Sequence, residues 1–181
     1  MDAILKHFRQ VEEGMTLMDQ GQIHEIVDVL KWVRKNGGTA YLFGNGGSAS
    51  TASHFANDLM KMGRMRTQCL NDHYPVVSAY GNDEGWMNMY LHPLKNLFIV
   101  ERDVAVGISC SGMSENVVNA LDWAAERKGV TIGLTGESEG SAINAVQDIY
   151  LVHARVPDIR VQEDLHMMVC HAVARAMQEV E

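Results

Sequence analysis

Short apolar runs alternate with helical patterns along most of the chain, and this alternation constrains the fold more than any other feature. Apolar runs of strand type occur at 40–43, 75–79, 103–108, 130–134 and 149–152. Helical patterns are predicted near 46–62, 84–98, 113–128, 139–146 and 160–180. Strands that are apolar on both faces and alternate with helices are typical of a parallel sheet covered on both sides. We therefore expect a single α/β domain.

Two amphipathic helices are predicted before the first strand. Apolar residues recur at steps of three and four over residues 4–18 and again over 23–33. Residues 1–37 are thus expected to form a helix pair attached to an α/β core at 38–181. Such a pair either packs only on its own domain or assembles subunits, and the pattern does not decide between the two.

Composition excludes several classes of partner. The net charge of -8 argues against a broad nucleic-acid or anionic-membrane surface. No apolar run approaches the roughly 20 residues of a membrane span, and residues 1–10 lack the apolar core of a signal peptide. The three cysteines are widely spaced, which suits a reducing compartment. We expect a soluble cytoplasmic protein with no nucleic-acid or membrane partner.

The stretch YLFGNGGSAS at 41–50 combines a short strand, a glycine turn and small hydroxyl residues that open a helix. Gly44, Gly46 and Ala49 match the loose dinucleotide pattern G-x-G-x-x-G/A. That pattern also requires an acidic residue about 20 positions further on, where this chain has the basic and apolar run MKMGRMRTQC. The Gly-Lys-Ser/Thr of a P-loop is absent as well, so the loop predicts a smaller ligand.

The stretch VAVGISCSGMSENVVNAL at 104–121 repeats this architecture, with three serines around Gly112 at the end of a strand: Ser109, Ser111 and Ser114. Free amides at a helix start bind anions, and serine hydroxyls add donors without bulk. A single serine here is often only a helix cap. Three serines within six residues, with two more in the first loop, favour phosphate. Both loops should meet at the carboxyl ends of the strands.

These residues resemble a known family. GNGGSAS with HFANDL, GND at 81–83, ISCSGMSENVVNAL and QEDLHMMVCH are similar to the SIS (sugar isomerase) domain, specifically its phosphoheptose isomerase branch, over nearly the whole chain. The resemblance implies a five-stranded parallel sheet between helices and a homotetramer with sites between subunits. It also implies conversion of sedoheptulose 7-phosphate to D-glycero-D-manno-heptose 7-phosphate. The alternative is a non-catalytic relative that binds sugar phosphates or the bacterial replication initiator.

The resemblance also implies residue roles. The catalytic pair is His171 and Asp58, which stands where the family has glutamate. Cys110 replaces the family's usual threonine, and Met113 its usual asparagine. The implied substrate- and phosphate-binding residues are Asn45, Gly46, Ser48, Asp83, Ser109, Cys110, Ser111, Ser114 and Glu163.

Two histidines and a carboxylate form the candidate acid–base and metal group. His54 and Asp58 are four residues apart and share a helix face, and His171 on another helix could close the same cleft. Isomerisation through an enediol needs a base for the carbon proton and an acid near the oxygens. Members of the family can carry zinc on matching positions, which implies His54, Asp58, Glu163 and His171 as ligands. Surface or hydrogen-bonded core positions are expected for His7, His24, His73, His92 and His153.

Spacing on the last helix separates Glu163 from Gln162. The family has a glutamine eight residues before the catalytic histidine, the separation here between Glu163 and His171. At about 100° per residue, eight positions leave side chains roughly 80° apart, whereas the nine positions from Gln162 place them roughly 180° apart. Glu163 is therefore expected to face the cleft. A one-residue shift of the helix start after Pro157 would bring Gln162 there instead.

Overall fold

A computed structural model describes residues 2–136 and 140–178 and contains a five-stranded sheet between helices. The strands are β1 (Thr39–Gly44), β2 (Arg66–Cys69), β3 (Val104–Ser109), β4 (Val130–Gly136) and β5 (Tyr150–Ala154). The helices are α1 (Ala3–Leu17), α2 (Gln20–Lys35), α3 (Gly47–Lys61), α4 (Tyr74–Asp83), α5 (Leu91–Leu97), α6 (Glu115–Glu126) and α7 (Ile159–Gln178). All strand pairs are parallel, so the predicted fold class is confirmed.

The strand order is β2-β1-β3-β4-β5, and the chain reverses direction across the sheet between β1 and β3. After β1 the chain continues to α3 on one face, and after β3 it continues to α6 on the other. This divergence opens a crevice at the carboxyl ends of the two strands, where ligands bind in open α/β folds.

The core has two main layers, one on each face of the sheet. Leu42 of β1 packs with α2, α3 and α7, and its neighbour Phe43 packs on the opposite face with α4, α5 and α6. Successive side chains of a strand point to opposite faces, so one apolar strand supplies both layers. This packing fixes where α3 and α6 begin, at the crevice.

The strand predicted at 75–79 is wrong. These residues belong to α4, and the second strand is the short polar segment Arg66–Cys69. Pro75 lies in the first turn of α4, where its missing amide proton costs nothing and its fixed φ suits a helix. An edge strand has one neighbour, so β2 does not need the continuous apolar run of a central strand.

Two other predicted helical segments are shorter than expected. The single helix predicted near 84–98 is a 3₁₀ turn at Trp86–Asn88 and the separate helix α5, and Gly85, where φ is +87°, separates the 3₁₀ turn from α4. The element predicted near 139–146 is a 3₁₀ turn at Ala142–Ala145, and residue 139 lies outside the described residues.

The helix pair is present, and its two members differ in burial. Helix α2 contributes several apolar side chains to the core, among them Leu30 and Val33. In α1 the one buried residue among those described is Gly14. None of the helices in the described part of the chain is long and apolar enough to cross a membrane.

Candidate active site

The first predicted loop connects β1 to α3 at the crevice. Gly46 has φ +54°, a conformation that glycine adopts without strain, and α3 begins immediately after it. No side chain caps this helix start. Ser48, in the first turn, is only 5% exposed. The loop therefore presents backbone amides and one hydroxyl at the positive end of a helix, as an anion site requires.

The second predicted loop connects β3 to α6. The Ser109 hydroxyl donates to the Ser114 hydroxyl at 3.0 Å and lies 3.4 Å from the Ser111 hydroxyl. Gly112, with φ +63°, turns the chain between them. Although Ser114 occupies the cap position of α6, its side chain makes no capping bond. The serines therefore form a cluster of hydroxyls and do not act simply as helix caps.

Two further hydroxyls lie beneath the second loop, and the sequence motifs did not indicate them. A Cβ added to Gly112 would lie 2.7 Å from the Ser141 oxygen and 2.8 Å from the Thr135 oxygen. Both hydroxyls are buried and without a hydrogen-bond partner in the described structure. The loop thus rests on a polar floor that only glycine can approach this closely.

Cys110 links the two loops through its side chain. Its sulfur lies 3.9 Å from the Ser48 Oγ and 3.8 Å from His166 Nδ1. His166 Nε2 lies 2.9 Å from the Thr135 carbonyl, so this nitrogen carries the proton and Nδ1 accepts from the thiol. Burial lowers the pKa of His166 to about 4 and raises the pKa of Cys110. Both groups are therefore neutral near pH 7.

Asn45 and two asparagine neighbours, the buried Asn116 and the half-buried Asn71, shape the first loop from within. Asn45 and Asn116 exchange two amide hydrogen bonds of 2.9 Å each. Asn71 binds both backbone groups of Gly44, donating to its carbonyl at 2.9 Å and accepting from its amide at 3.2 Å. Sequence reasoning missed Asn71 and Asn116. Asn71 follows β2, whose position was predicted wrongly, and a lone asparagine in an apolar helix stripe carries no motif.

His54, Asp58 and His171 converge, as their predicted shared role requires. The two Nε2 atoms are 3.1 Å apart, and Asp58 Oδ2 lies 3.3 Å from His54 Nε2 and 3.8 Å from His171 Nε2. The Asp58 side chain is 12% exposed, whereas both imidazoles are about half exposed. Three ligand atoms of these residues lie within 4.8 Å of one another. This acid–base cluster has a buried carboxylate and an open, solvent-facing side.

The other predicted residues of α7 take separate positions. The Glu163 carboxylate lies against Gly47 at the start of α3, where a Cβ on that glycine would collide with it. Among the described residues, Glu163 is not a member of the acid–base cluster. Gln162 is buried and donates to the Val156 carbonyl at 2.6 Å. The two side chains therefore point in different directions, and the assignment of Glu163 rather than Gln162 to the site stays a prediction.

Asp83 lies at the C-terminal end of α4, away from the acid–base cluster. Its carboxylate is exposed and accepts a hydrogen bond from the neighbouring Asn82 at 2.7 Å. Within one chain it thus faces solvent.

Comparison with known proteins places the chain in a family. The family model of the SIS domain matches residues 5–136. Phosphoheptose isomerase 1 of Campylobacter jejuni is 34% identical and aligns over 88% of this chain and 87% of its own length. Phosphoheptose isomerase of Geobacter sulfurreducens is 33% identical and aligns over 98% of this chain and 95% of its own length. A phosphoheptose isomerase structure from Neisseria gonorrhoeae superposes with a TM-score of 0.87 at 26% identity, covering 98% of this chain and 95% of that one. The chain therefore belongs to the SIS domain family and, within it, to the phosphoheptose isomerases.

Proposed function

We propose that the protein isomerises sedoheptulose 7-phosphate to D-glycero-D-manno-heptose 7-phosphate. The observation that carries this proposal is the convergence of His171 of α7 with His54 and Asp58 of α3, the helix that begins at the first phosphate loop. His54 lies seven residues after Gly47, or about 10 Å along the axis of α3. That separation suits an extended sugar chain with its phosphate at one end and its reacting carbons at the other.

The serine loops bind the phosphate in this proposal. The hydroxyls of Ser48, Ser109, Ser111 and Ser114 and the amides at the starts of α3 and α6 donate to its oxygens. Donors that are fixed before binding lose little freedom when the ligand arrives. Asn45 and Gly46 shape the first loop, and Cys110 lies between the loops. Glu163, beside Gly47, accepts hydrogen bonds from sugar hydroxyls.

Asp58 and His171 carry out the proton transfers. In the ketose-to-aldose direction, Asp58 removes a proton from C1 while His171 supplies a proton to the C2 oxygen, which gives the enediol. The C1 hydroxyl then gives its proton back to His171 as the carbonyl forms at C1, and Asp58 returns the carbon proton to C2. Atoms and charges balance, and both residues end in their starting protonation states.

Zinc binding is an alternative role for the acid–base cluster, because an atom that ligates the ion cannot transfer a proton at the same time. Two imidazole nitrogens and a carboxylate oxygen with an open side are ligands that a catalytic zinc site uses. His54, Asp58 and His171 would hold the ion, with Glu163 as a further ligand and Gln162 as its alternative. Zinc bound there would polarise the oxygens of the reacting carbons as a Lewis acid.

Turnover of sedoheptulose 7-phosphate by the purified protein, with zinc added or with a chelator, tests the proposal. We expect His171→Ala to abolish turnover, whereas His73→Ala, at an exposed residue that makes no side-chain cap for α4, should not change it. Equal affinity for sedoheptulose and its 7-phosphate would contradict the phosphate assignment. Phosphosugar binding without turnover would instead indicate the non-catalytic alternative, which the relatives do not favour. We also propose a cytoplasmic homotetramer, in which Asp83 of one subunit completes the site of another.

A further inference from the structure

Asn116 is completely buried in the first turn of α6 and has no assigned part in phosphate binding. Its amide exchanges two hydrogen bonds with the amide of Asn45, each 2.9 Å long. Asn45 immediately precedes Gly46 of the first loop, and Asn116 comes two residues after Ser114 of the second. The pair therefore connects the two loops directly, across the crevice between β1 and β3.

The Asn45 end of this pair is itself held in place. The Tyr90 hydroxyl lies 3.1 Å from Asn45 Oδ1 and 2.5 Å from the Gly44 carbonyl. Asn71 donates to the Tyr90 oxygen at 2.8 Å and to the Gly44 carbonyl at 2.9 Å. Asn116 thus binds to a network that already fixes the end of β1. A buried network of this kind specifies one geometry when its groups have partners.

We propose that Asn116 is a positioning residue, which sets the distance between the two serine loops so that they bind one phosphate together. The helices that follow these loops pack on opposite faces of the sheet, so core packing alone does not hold their first turns together. The reciprocal amide pair supplies this connection. The inference deepens the proposed function but requires only that both loops bind phosphate, not that the sugar is a heptulose.

The test compares Asn116→Ala with wild type for binding of inorganic phosphate by calorimetry. We expect binding about tenfold weaker, equivalent to about 1.4 kcal/mol. With sedoheptulose 7-phosphate, KM should rise by a similar factor while kcat changes less, because the acid–base cluster is untouched. Asn119→Ala is the matched control, since Asn119 lies one turn further along α6, is half-buried and donates to the Met87 carbonyl instead of to the first loop. Its phosphate affinity should equal that of wild type.

A double-mutant cycle separates coupling from simple loss of stability. Asn45→Ala and Asn116→Ala break the same pair, so the double variant should bind phosphate no more weakly than Asn45→Ala alone. Additive losses, or normal phosphate affinity in a folded Asn116→Ala protein, would overturn the inference. If that variant does not fold, hydrogen exchange of the side-chain amides of Asn45 and Asn116 in the wild-type protein tests the inference. Slower exchange of both amides when inorganic phosphate is added supports coupling, and unchanged exchange refutes it.

The proposed function can fail separately from this inference. A protein that binds inorganic phosphate through Asn116-dependent loops but does not turn over the heptulose keeps the inference and loses the substrate assignment.

Discussion

At the scale of single residues, the proposed phosphate site depends on hydroxyl groups. The Ser111 oxygen accepts from the Met113 amide at 3.2 Å and lies 3.4 Å from the Ser109 hydroxyl, within the hydroxyl cluster of the second loop. We expect Ser111→Ala to weaken binding of the phosphorylated sugar by about 1–3 kcal/mol, the usual cost of a lost hydrogen bond to a charged group. Calorimetry measures this loss. Ser78→Ala, which removes a half-buried hydroxyl of α4 that donates to the Pro75 carbonyl, should bind normally.

The length of the Asp58 side chain is a second single-residue feature, and we expect it to limit the rate of turnover. Aspartate is one methylene shorter than the glutamate of the family, and a misplacement of about 1 Å can cost 10²-fold in rate. Asp58 is held within 3.3 Å of His54, so its carboxylate stays close to α3 and away from a ligand in the open side of the cluster. We expect modest wild-type turnover that Asp58→Glu raises and Asp58→Asn abolishes. An Asp58→Glu variant with slower turnover than the wild type would show that the site is built around aspartate.

Residues found from the sequence and residues missed differ in a physical way. Ser48, Ser111 and His171 belong to local patterns whose chemistry needs those residue types at those spacings. Asn116 and His166 act through partners 71 and 31 residues away in the chain. Such contacts exist only after the sheet has assembled, and no local pattern encodes them.

At the scale of elements, the same distinction applies to β2 and α4. Central strands were predictable because burial on both faces requires a continuous apolar run, as in β3. The edge strand β2 has no such requirement. Val76 and Val77 in α4, by contrast, form a short apolar run that resembles a strand. The predicted fold class was still correct, because the order of the remaining strands and helices already indicated a parallel sheet.

The register of α7 leads to a paired prediction. Glu163 lies beside the start of α3, whereas Gln162 donates to the Val156 carbonyl in the core. We therefore expect Glu163→Ala to reduce turnover and zinc content with little change in Tm. Gln162→Ala should reduce Tm, because it leaves a buried carbonyl without its donor. Turnover, metal analysis and calorimetry distinguish the pair. If only Gln162→Ala loses metal, the assignment of Glu163 to the site is wrong.

The attachment of α7 to β4 should depend on pH through His166. Its pKa in the folded chain is about 4, because burial disfavours the charged imidazole, and the pKa in the unfolded chain is near 6.5. The unfolded chain therefore binds a proton first as pH falls. The contribution of neutral His166 to the free energy of unfolding is complete above about pH 6.5 and is lost as the pH falls toward about 4. The loss is on the order of 2 kcal/mol by pH 5.

Chemical denaturation at pH 7.5 and pH 5 measures this loss. Cys110 faces His166, and other charged groups of the chain also respond to pH, so the informative quantity is a difference between proteins. His166→Gln should lose less free energy of unfolding between the two pH values than wild type does. His73→Gln, which replaces an exposed histidine before α4, should keep the wild-type difference. Identical pH dependence in all three proteins would refute the assignment to His166.

At the scale of the whole molecule, α1 leaves a large apolar surface exposed. Ile4 is 64% exposed and Phe8 is 65% exposed, and Leu5, Met15 and Leu17 are each about half exposed. An apolar groove between α1, α2 and α7 adjoins this surface and is lined by Met15, Met18, Ile23 and Met168. Contiguous apolar surface of this kind marks an interface. We expect it to be buried between subunits of the proposed homotetramer.

Light scattering on the wild type at micromolar concentration should therefore give a molecular mass of four chains. Phe8→Glu should give a smaller species, because a carboxylate placed in an apolar interface loses its hydration. Lys6→Gln is the control: it changes the net charge by the same amount, but two positions along a helix place it roughly 160° away from Phe8. If the tetramer joins Asp83 of one chain to the acid–base cluster of another, Phe8→Glu should also lose turnover in proportion to the lost tetramer, and turnover should recover as protein concentration restores assembly. A monomeric wild type with full turnover would contradict both parts, because Asp83 would then have no route to a site.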